Sequence, residues 1–389
     1  MSYSNWAIYF GRVTYSLSWF NIAPAFIYVS TEFRMGAVQI GILGSAFYLG
    51  LIPSQLIGGL LGYKFGPKAI SVTGLLGVAL ASLAMSVSNS FEQFVVLRFL
   101  TGFFAPYFSS PALALLSASG QRNRSLGVGI YNSMFNVGAA LTLMSFVFLD
   151  QDFGWRLSFI VTGGLNLVAM AWLAMGRYRT QSFQLSEEPH KGLLDLIRNR
   201  YIFGLSISAL VASIAESILG QFLVFYLESF LHYLPAEAGA LNSLYWIIGI
   251  FGGFVIGYYY QTARNRRIPY VAAASSLALL IVAIPYAHSI FIMAAILSSL
   301  GFLVNAVLSI LYFLILSSAG NASESSLYLG YNNFLQKTVS SAFPFLFMEF
   351  GKLAGLSASW ILIGVSGLAL LILGMVPLNA IRQIPKASD

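Results

Sequence analysis

The chain has 389 residues, of which 58% are hydrophobic and 8% charged, with a formal net charge of +7 and a mean hydropathy of +0.79. A soluble domain carries roughly a quarter of its residues as Asp, Glu, Lys and Arg, so this composition excludes a water-solvated globule and leaves an integral membrane protein with its apolar surface in lipid. The absence of cysteine excludes disulfides, thiolate metal sites and cysteine nucleophiles, and His190, His232 and His288 share no metal-ligand spacing.

A membrane crossing needs about 20 apolar residues. The first such segment, 6–30, carries Arg12 and opens without the basic leader or small-residue cleavage site of a secretory signal, so it reads as the first span. Cutting the chain at charges, polar runs and Gly/Pro clusters places the others at 38–63, 69–88, 91–117, 125–149, 157–175, 201–230, 238–260, 269–288, 290–318, 327–350 and 357–378. The expected architecture is therefore an all-α membrane protein of twelve transmembrane helices. A polar connector divides it into an N-terminal six-helix bundle (1–176), a linker (177–200) and a C-terminal six-helix bundle (201–389).

If the N-terminus is cytoplasmic, the inner loops hold Lys64, Lys68, Arg122, Arg124, Arg177, Arg179, Lys191, Arg198, Arg200, Arg264, Arg266, Arg267, Arg382 and Lys386. The outer loops then hold only Arg34, Arg156 and Lys352. That asymmetry predicts both termini in the cytoplasm and a multi-pass protein of the cell membrane. It also accounts for the basic net charge as topology signal beside anionic lipid, with no nucleic-acid motif to compete. The run Gly58-Gly59-Leu60-Leu61-Gly62-Tyr63 at the end of the second span is echoed by Gly252-Gly253-Phe254-Val255-Ile256-Gly257-Tyr258 at the end of the eighth, the mark of a duplicated unit.

Three motifs carry a family resemblance. The loop after the second span reads Gly59-Leu60-Leu61-Gly62-Tyr63-Lys64-Phe65-Gly66-Pro67-Lys68, similar to G-x-L-x-D-R-x-G-R-K. The fourth span contains Leu97-Arg98-Phe99-Leu100-Thr101-Gly102, similar to R-F-x-x-G, and Gly154-Trp155-Arg156-Leu157-Ser158-Phe159 matches G-W-R-x-x-F. Together, at these spans, they make the chain resemble the major facilitator superfamily along its whole length. The resemblance implies two pseudo-symmetric bundles and a gating motif at Gly59, Tyr63, Lys64, Gly66 and Lys68. Tyr63 stands where the family has an acidic residue that meets the dipole of the eleventh helix; a phenol cannot supply that attraction, which leaves the gate to Lys64, Lys68 and packing. The fifth span, Gly129-Ile130-Tyr131-Asn132-Ser133-Met134-Phe135-Asn136-Val137-Gly138, lacks the proline of the kink that drug-exporting members carry, which favours uptake or symport.

Ionisable side chains at membrane depth are costly and mark candidate sites. Arg12, Arg98, Glu216 and Lys337 are the four. Glu216 and Lys337 lie at similar depth in the seventh and eleventh spans, which the resemblance makes neighbours. A static ion pair and a proton-dependent pair are both open readings. Three basic groups against one acidic group predict an anionic solute, such as a carboxylate, contacted by Arg12, Arg98 and Lys337, with Glu216 as proton carrier. The bland alternatives are a structural role for Arg98 inside its motif and snorkelling of Arg12 to the interface.

Amides and phenols in lipid must face a partner or a cavity. Asn21, Asn132, Asn136, Gln221, Tyr331, Asn332, Asn333 and Gln336 join the candidate solute contacts, and the run Tyr331-Asn332-Asn333-Phe334-Leu335-Gln336-Lys337 is the densest polar stretch in any span. Glu228, Glu237 and Glu349, near span ends, are expected to be solvated. The sequence thus predicts a secondary active transporter working by alternating access, coupled to protons as a symporter, monomeric, with no cofactor or metal and no enzyme activity. Efflux of amphipathic drugs or neutral sugars is the alternative within transport. A non-transporting sensor or a membrane enzyme is the alternative from another class.

Overall fold

The computed structural model describes residues 3–118, 124–178, 199–262, 267–318 and 322–380, and the regular structure in them is entirely helical. The first group comprises α1 (Tyr3–Phe20), α2 (Ile22–Glu32), α3 (Ala37–Phe65), α4 (Pro67–Ser86), α5 (Phe91–Ala118), α6 (Arg124–Phe153) and α7 (Trp155–Met175). The second comprises α8 (Arg200–Ser208), α9 (Leu210–Ser229), α10 (Pro235–Thr262), α11 (Arg267–Ala283) with a short 3-10 turn (Ile284–Tyr286), α12 (Ile290–Ser317), α13 (Ala322–Ser340), α14 (Phe343–Ala354) and α15 (Leu356–Ala380). Most of the expected linker, 179–198, lies outside the described residues.

Nine helical segments among the described residues are long and apolar enough to cross a membrane, the pair α8–α9 counting as one. The first and eleventh expected spans do not qualify as unbroken apolar helices. The first is interrupted at Asn21 and carries Arg12; the eleventh is interrupted after Ser340 and carries the polar run with Lys337. The eighth lies partly outside the described side chains.

Two interruptions have a sequence cause. Pro24 in the first turn of α2 and Pro344 in that of α14 lack an N–H, and their rings crowd the carbonyl four residues back, which favours a break there, although α3 continues through Pro53 and α5 through Pro106 and Pro111. The third, at Ala209 between α8 and α9, occurs without a proline. Large exposed apolar side chains such as Leu141, Met144, Phe148, Phe291, Ile292, Ile372 and Leu373 then form the lipid-facing surface.

Packing repeats between the groups. In the first, α3 packs on α5, α4 on α5 and α7, and α1 on α6 and α7. In the second, α10 packs on α12, α11 on α12 and α15, and α8–α9 on α13 and α15. Glycines set the closest approach in both: a Cβ on Gly50 or Gly102 would run into the carbonyl oxygens of Phe99 and Phe47, and one on Gly252 or Gly301 into those of Phe302 and Tyr245.

The groups meet along α3 with α13–α14, α6 with α10, and α2 with α9. These seams lie toward the face that carries the turns at 33–36, 230–234 and 355, which the charge count assigns to the outside. Gly41 packs on Phe345, Gly239 on Leu143 and Val147, and Phe26 on Phe222 at 5.0 Å between ring centroids. Toward the opposite face, Gly58 and Gly62 of α3 pack on Pro106 and Pro111 of their own group, and Gly249 of α10 packs on Asn305 of its own. The described contacts between groups thus close the side that carries the turns at 33–36, 230–234 and 355.

Filling either carbonyl-facing notch should force the helices apart. Gly102→Ala and Gly301→Ala are each expected to destabilise by about 1–3 kcal/mol, the usual range for overpacking. This is read as a lower melting temperature of the purified protein in detergent; unchanged melting would contradict the close crossings.

Candidate functional site

Two charges meet at the seam. Glu216 sits two turns past the Ala209 break on α9, and Lys337 one turn before the break that ends α13. Lys337 Nζ is 3.1 Å from Glu216 Oε2, with the two side chains 16% and 18% exposed. The ammonium also stands 5.9 Å from the ring centroids of Trp19 and Tyr48 in the other group, so the pair faces across the seam.

Arg12 is different. Its guanidinium carbon lies 4.9, 4.6 and 4.7 Å from the ring centroids of Tyr15, Tyr131 and Phe135, its Nε is buried without a partner, and among the described residues no carboxylate is within ion-pair distance. Cation–π contacts of this kind are each worth about 0.5–2 kcal/mol. They hold the side chain without neutralising it. The Tyr131 ring is itself fixed by its hydroxyl, which donates to the Ser109 carbonyl at 2.8 Å. Tyr312 on α12 lies within electrostatic reach of both Arg12 and Glu216, and its hydroxyl donates to Asn333 Oδ1 at 3.3 Å. Two positive groups against one negative group leave one uncompensated positive charge around Tyr312.

Arg98 takes backbone partners. It is fully buried, donates from its two terminal nitrogens to the carbonyls of Ser18 at 3.1 Å and Trp19 at 2.8 Å, and stacks 4.6 Å over Phe47. Those carbonyls belong to the last turn of α1, so its guanidinium closes the break, in keeping with the structural alternative for this residue. Asn21 is likewise committed: its Nδ2 donates to Thr162 on α7 at 3.0 Å, and Thr162 continues to Ser82 on α4 at 2.8 Å.

The polar run on α13 forms a ladder. Gln336 donates to Asn332 Oδ1 at 3.3 Å, and Asn332 to Asn333 Oδ1 at 3.4 Å, which also accepts from Tyr312. Tyr331 is half-buried and packs against the apolar core. On α6, Asn136 is buried, whereas Asn132 is exposed. Asn132 precedes Leu141 by nine residues, about half a helical rotation from the lipid-facing stripe at 3.6 residues per turn, so its exposure is to the interior and not to lipid.

Gln221, one and a half turns beyond Glu216, is fully buried with both amide atoms unpartnered. Near it the sequence reading missed Tyr48, whose buried hydroxyl also lacks a partner. A tyrosine in an apolar span carries no signal that separates an interface anchor from a buried hydroxyl. Burying such groups unpaired costs about 1–3 kcal/mol each.

Beside the turn at 33–36, Glu32 at the end of α2 accepts from Trp155 Nε1 at 2.7 Å and from both terminal nitrogens of Arg156 at 2.8 and 2.6 Å. The Gly-Trp-Arg motif thus ties α7 to α2, and the Arg156 hydrogen bonds hold the Glu32 carboxyl below its ordinary pKa. Beside it opens a cleft of about 570 Å³ that Tyr28, Glu32, Trp155 and Glu228 help to line. Glu228 and Glu349, expected in solvent, are half-buried, while Glu237 accepts from the Leu234 N–H at the start of α10. In the gating motif, Gly66 adopts φ +88° between α3 and α4 and Lys68 is half-buried; the side chains of Gly59, Tyr63 and Lys64 lie outside the described residues.

A family model described as Major Facilitator Superfamily matches residues 8–344. A D-galactonate transporter of Escherichia coli O6:H1 is 26% identical over 181 residues, 46% of this chain and 41% of that one. A 3-(3-hydroxy-phenyl)propionate transporter of Escherichia coli K12 is 31% identical over 150 residues, 37% of each. The chain therefore spans less than half the length of either relative. A crystal structure of a bacterial homolog of the human lysosomal transporter Spinster, inward-facing and occupied, superimposes with a TM-score of 0.81 at 13% identity and covers 97% of both chains, a likeness of fold.

Removing the Arg98 guanidinium should orphan two backbone carbonyls. Arg98→Met is expected to cost about 3 kcal/mol or more, at about 1.5–3 kcal/mol for each charge-assisted bond, seen in thermal unfolding. A stable variant that loses only solute binding would return Arg98 to the solute site.

Because the Glu32 pKa is lowered by folding, its contribution is complete above the unfolded value of about 4.3 and disappears as the pH falls through the folded value. The melting-temperature gap between wild type and Glu32→Gln should be steady near neutrality and close at acid pH. A gap that widens toward acid would reverse the assignment.

Proposed function

Since the chain belongs to the major facilitator superfamily, we propose that it is a secondary active transporter that carries a small organic anion across the cell membrane by alternating access, coupled to protons as a symporter. Family membership points away from an enzyme. The observation that carries the anion reading is Arg12: a guanidinium held by three aromatic rings at the interior seam, with its charge unmatched by any carboxylate among the described residues. A carboxylate supplies the missing counter-charge and accepts the N–H bonds that aromatic faces cannot. The two relatives named for carboxylates support that direction.

On this reading Glu216 is the proton carrier and Lys337 its partner. Protonation of Glu216 releases the Lys337 ammonium to a second anionic contact, and return of the solute-free site restores the pair. The two groups of helices, with both termini on the cytoplasmic side, rock about the seam, and the closed outer contacts correspond to the inward-open half of the cycle. The chain acts as a monomer in the lipid bilayer.

Uptake into proteoliposomes separates this from drug efflux, neutral-sugar transport and a sensor that binds without moving its ligand. Arg12→Gln should lower both proton-driven uptake and solute counterflow of a carboxylate by at least about tenfold, the equivalent of 1.4 kcal/mol. Glu216→Gln should abolish proton-driven accumulation and retain counterflow. Undiminished uptake in Arg12→Gln, or equal uptake of neutral solutes by the wild type, would overturn the anion assignment.

A further inference from the structure

Beside the charged pair stands a group of buried hydrogen-bonding atoms that the fold leaves empty-handed. Gln221 Oε1 and Nε2, the Tyr48 hydroxyl, the Tyr245 hydroxyl and Asn242 Oδ1 are all in fully buried side chains and have no hydrogen-bond partner. They come from three helices and both groups. Gln221 approaches the Tyr48 hydroxyl, Tyr48 and Tyr245 are within electrostatic reach of each other and of Glu216, and Asn242 is anchored by donating to the Leu219 carbonyl at 3.1 Å.

Membrane helices have no reason to bring so many unsatisfied groups together away from lipid and solvent. Other interior polar residues are at least partly paired within the protein, the α13 ladder, Asn21 Nδ2 with Thr162, and Asn166 Nδ2 with Ser18 at 2.8 Å, although Asn21 Oδ1 and Asn166 Oδ1 are also unpartnered. The set around Gln221 offers both donors and acceptors, which is what a hydroxyl needs and what a carboxylate alone cannot use.

We infer that this shelf recognises hydroxyl groups of the solute, so that the transported anion is a hydroxylated carboxylate. The carboxylate is held at Arg12 and the Lys337–Glu216 pair, and Gln221, Tyr48, Tyr245 and Asn242 bind the hydroxyl end. The inference rests on the anion reading above and narrows it. Two chemistries present such a hydroxyl, a polyol acid and a phenolic acid. A site built to pair with a hydroxyl discriminates strongly against the analogue that lacks it, because its own groups are then left unpaired.

The test measures binding of gluconate against hexanoate, and 4-hydroxybenzoate against benzoate, to the full-length protein in detergent. In at least one pair the hydroxylated acid should bind about tenfold or more tighter, a difference of 1.4 kcal/mol, and the pair that shows it identifies the polyol or the phenolic class. Gln221→Leu should bring that ratio to near one. The double variant Tyr48→Phe with Tyr245→Phe, which removes only the hydroxyls, should reduce it also and serves where Gln221→Leu does not fold. Equal affinities within both pairs in the wild type, or a ratio preserved in the variants, would overturn the hydroxyl shelf while leaving the anion reading in place. Failure of all four acids to bind would take down both.

Discussion

Lipid offers a polypeptide no hydrogen bonds, so every interruption of a membrane helix must be closed from inside the protein. Among the described residues, helical runs are interrupted at Asn21, at Ala209 and after Ser340, and the closures organise the interior. Arg98 caps the broken end of α1 through the Ser18 and Trp19 carbonyls. Phe345 N–H, freed at the start of α14, donates to Ser45 Oγ of α3 at 3.2 Å, so this break is closed from the other group and becomes part of the seam. The breaks beside Pro24 and Pro344 therefore do more than bend helices: they fix where the groups touch and bring α9 and α13 to the depth at which Glu216 meets Lys337.

Much of this was legible in the residues. Charge scarcity required a membrane protein, and the polar run ending at Lys337 pointed to the seam because amides in lipid need partners. Glu216 and Lys337 could be paired from depth and resemblance. Arg98 stays open in the sequence between a solute contact and a structural role, because a buried cation that binds backbone carbonyls looks the same in a string of letters as one that awaits an anion. Tyr48 was invisible for a related reason: 21 tyrosines populate this chain, and only three-dimensional burial distinguishes a hydroxyl that has lost water from one at the interface. The interruption at Ala209 has no proline or glycine to announce it.

The three buried basic groups thus divide by the partner each has found. Arg98 donates to carbonyl dipoles and Lys337 to Glu216, whereas Arg12 has the rings and hydroxyls of Tyr15 and Tyr131 and the ring of Phe135, and no carboxylate among the described residues. An aromatic cage attracts a cation through the ring quadrupole but leaves the edge of a guanidinium free to donate in its plane. This makes Arg12 suited to hold an anion that comes and goes, since the cage keeps the side chain in position while the site is vacant.

Alternating access also needs an outer seam weak enough to open. Among the described residues its polar ties are Ser45 with Phe345, and Ser243 Oγ with the Ala140 carbonyl at 3.0 Å. Each is worth about 0.5–1.5 kcal/mol. The rest is apolar packing such as Gly41 on Phe345, Phe26 on Phe222 and Phe20 on Trp246, which exchanges for lipid or solute at modest net cost. A ligand moves such an equilibrium only by its differential affinity for the two states, and about 5.5 kcal/mol carries a two-state balance from 1:99 to 99:1. In the proposed cycle, one carboxylate neutralising Arg12 and one proton releasing Lys337 from Glu216 would act on contacts of that order, whereas a seam laced with buried ion pairs would not yield to them. The absence of a described ion pair across the outer seam is thus itself a requirement of the proposed cycle, as much as the unpaired charge beneath it.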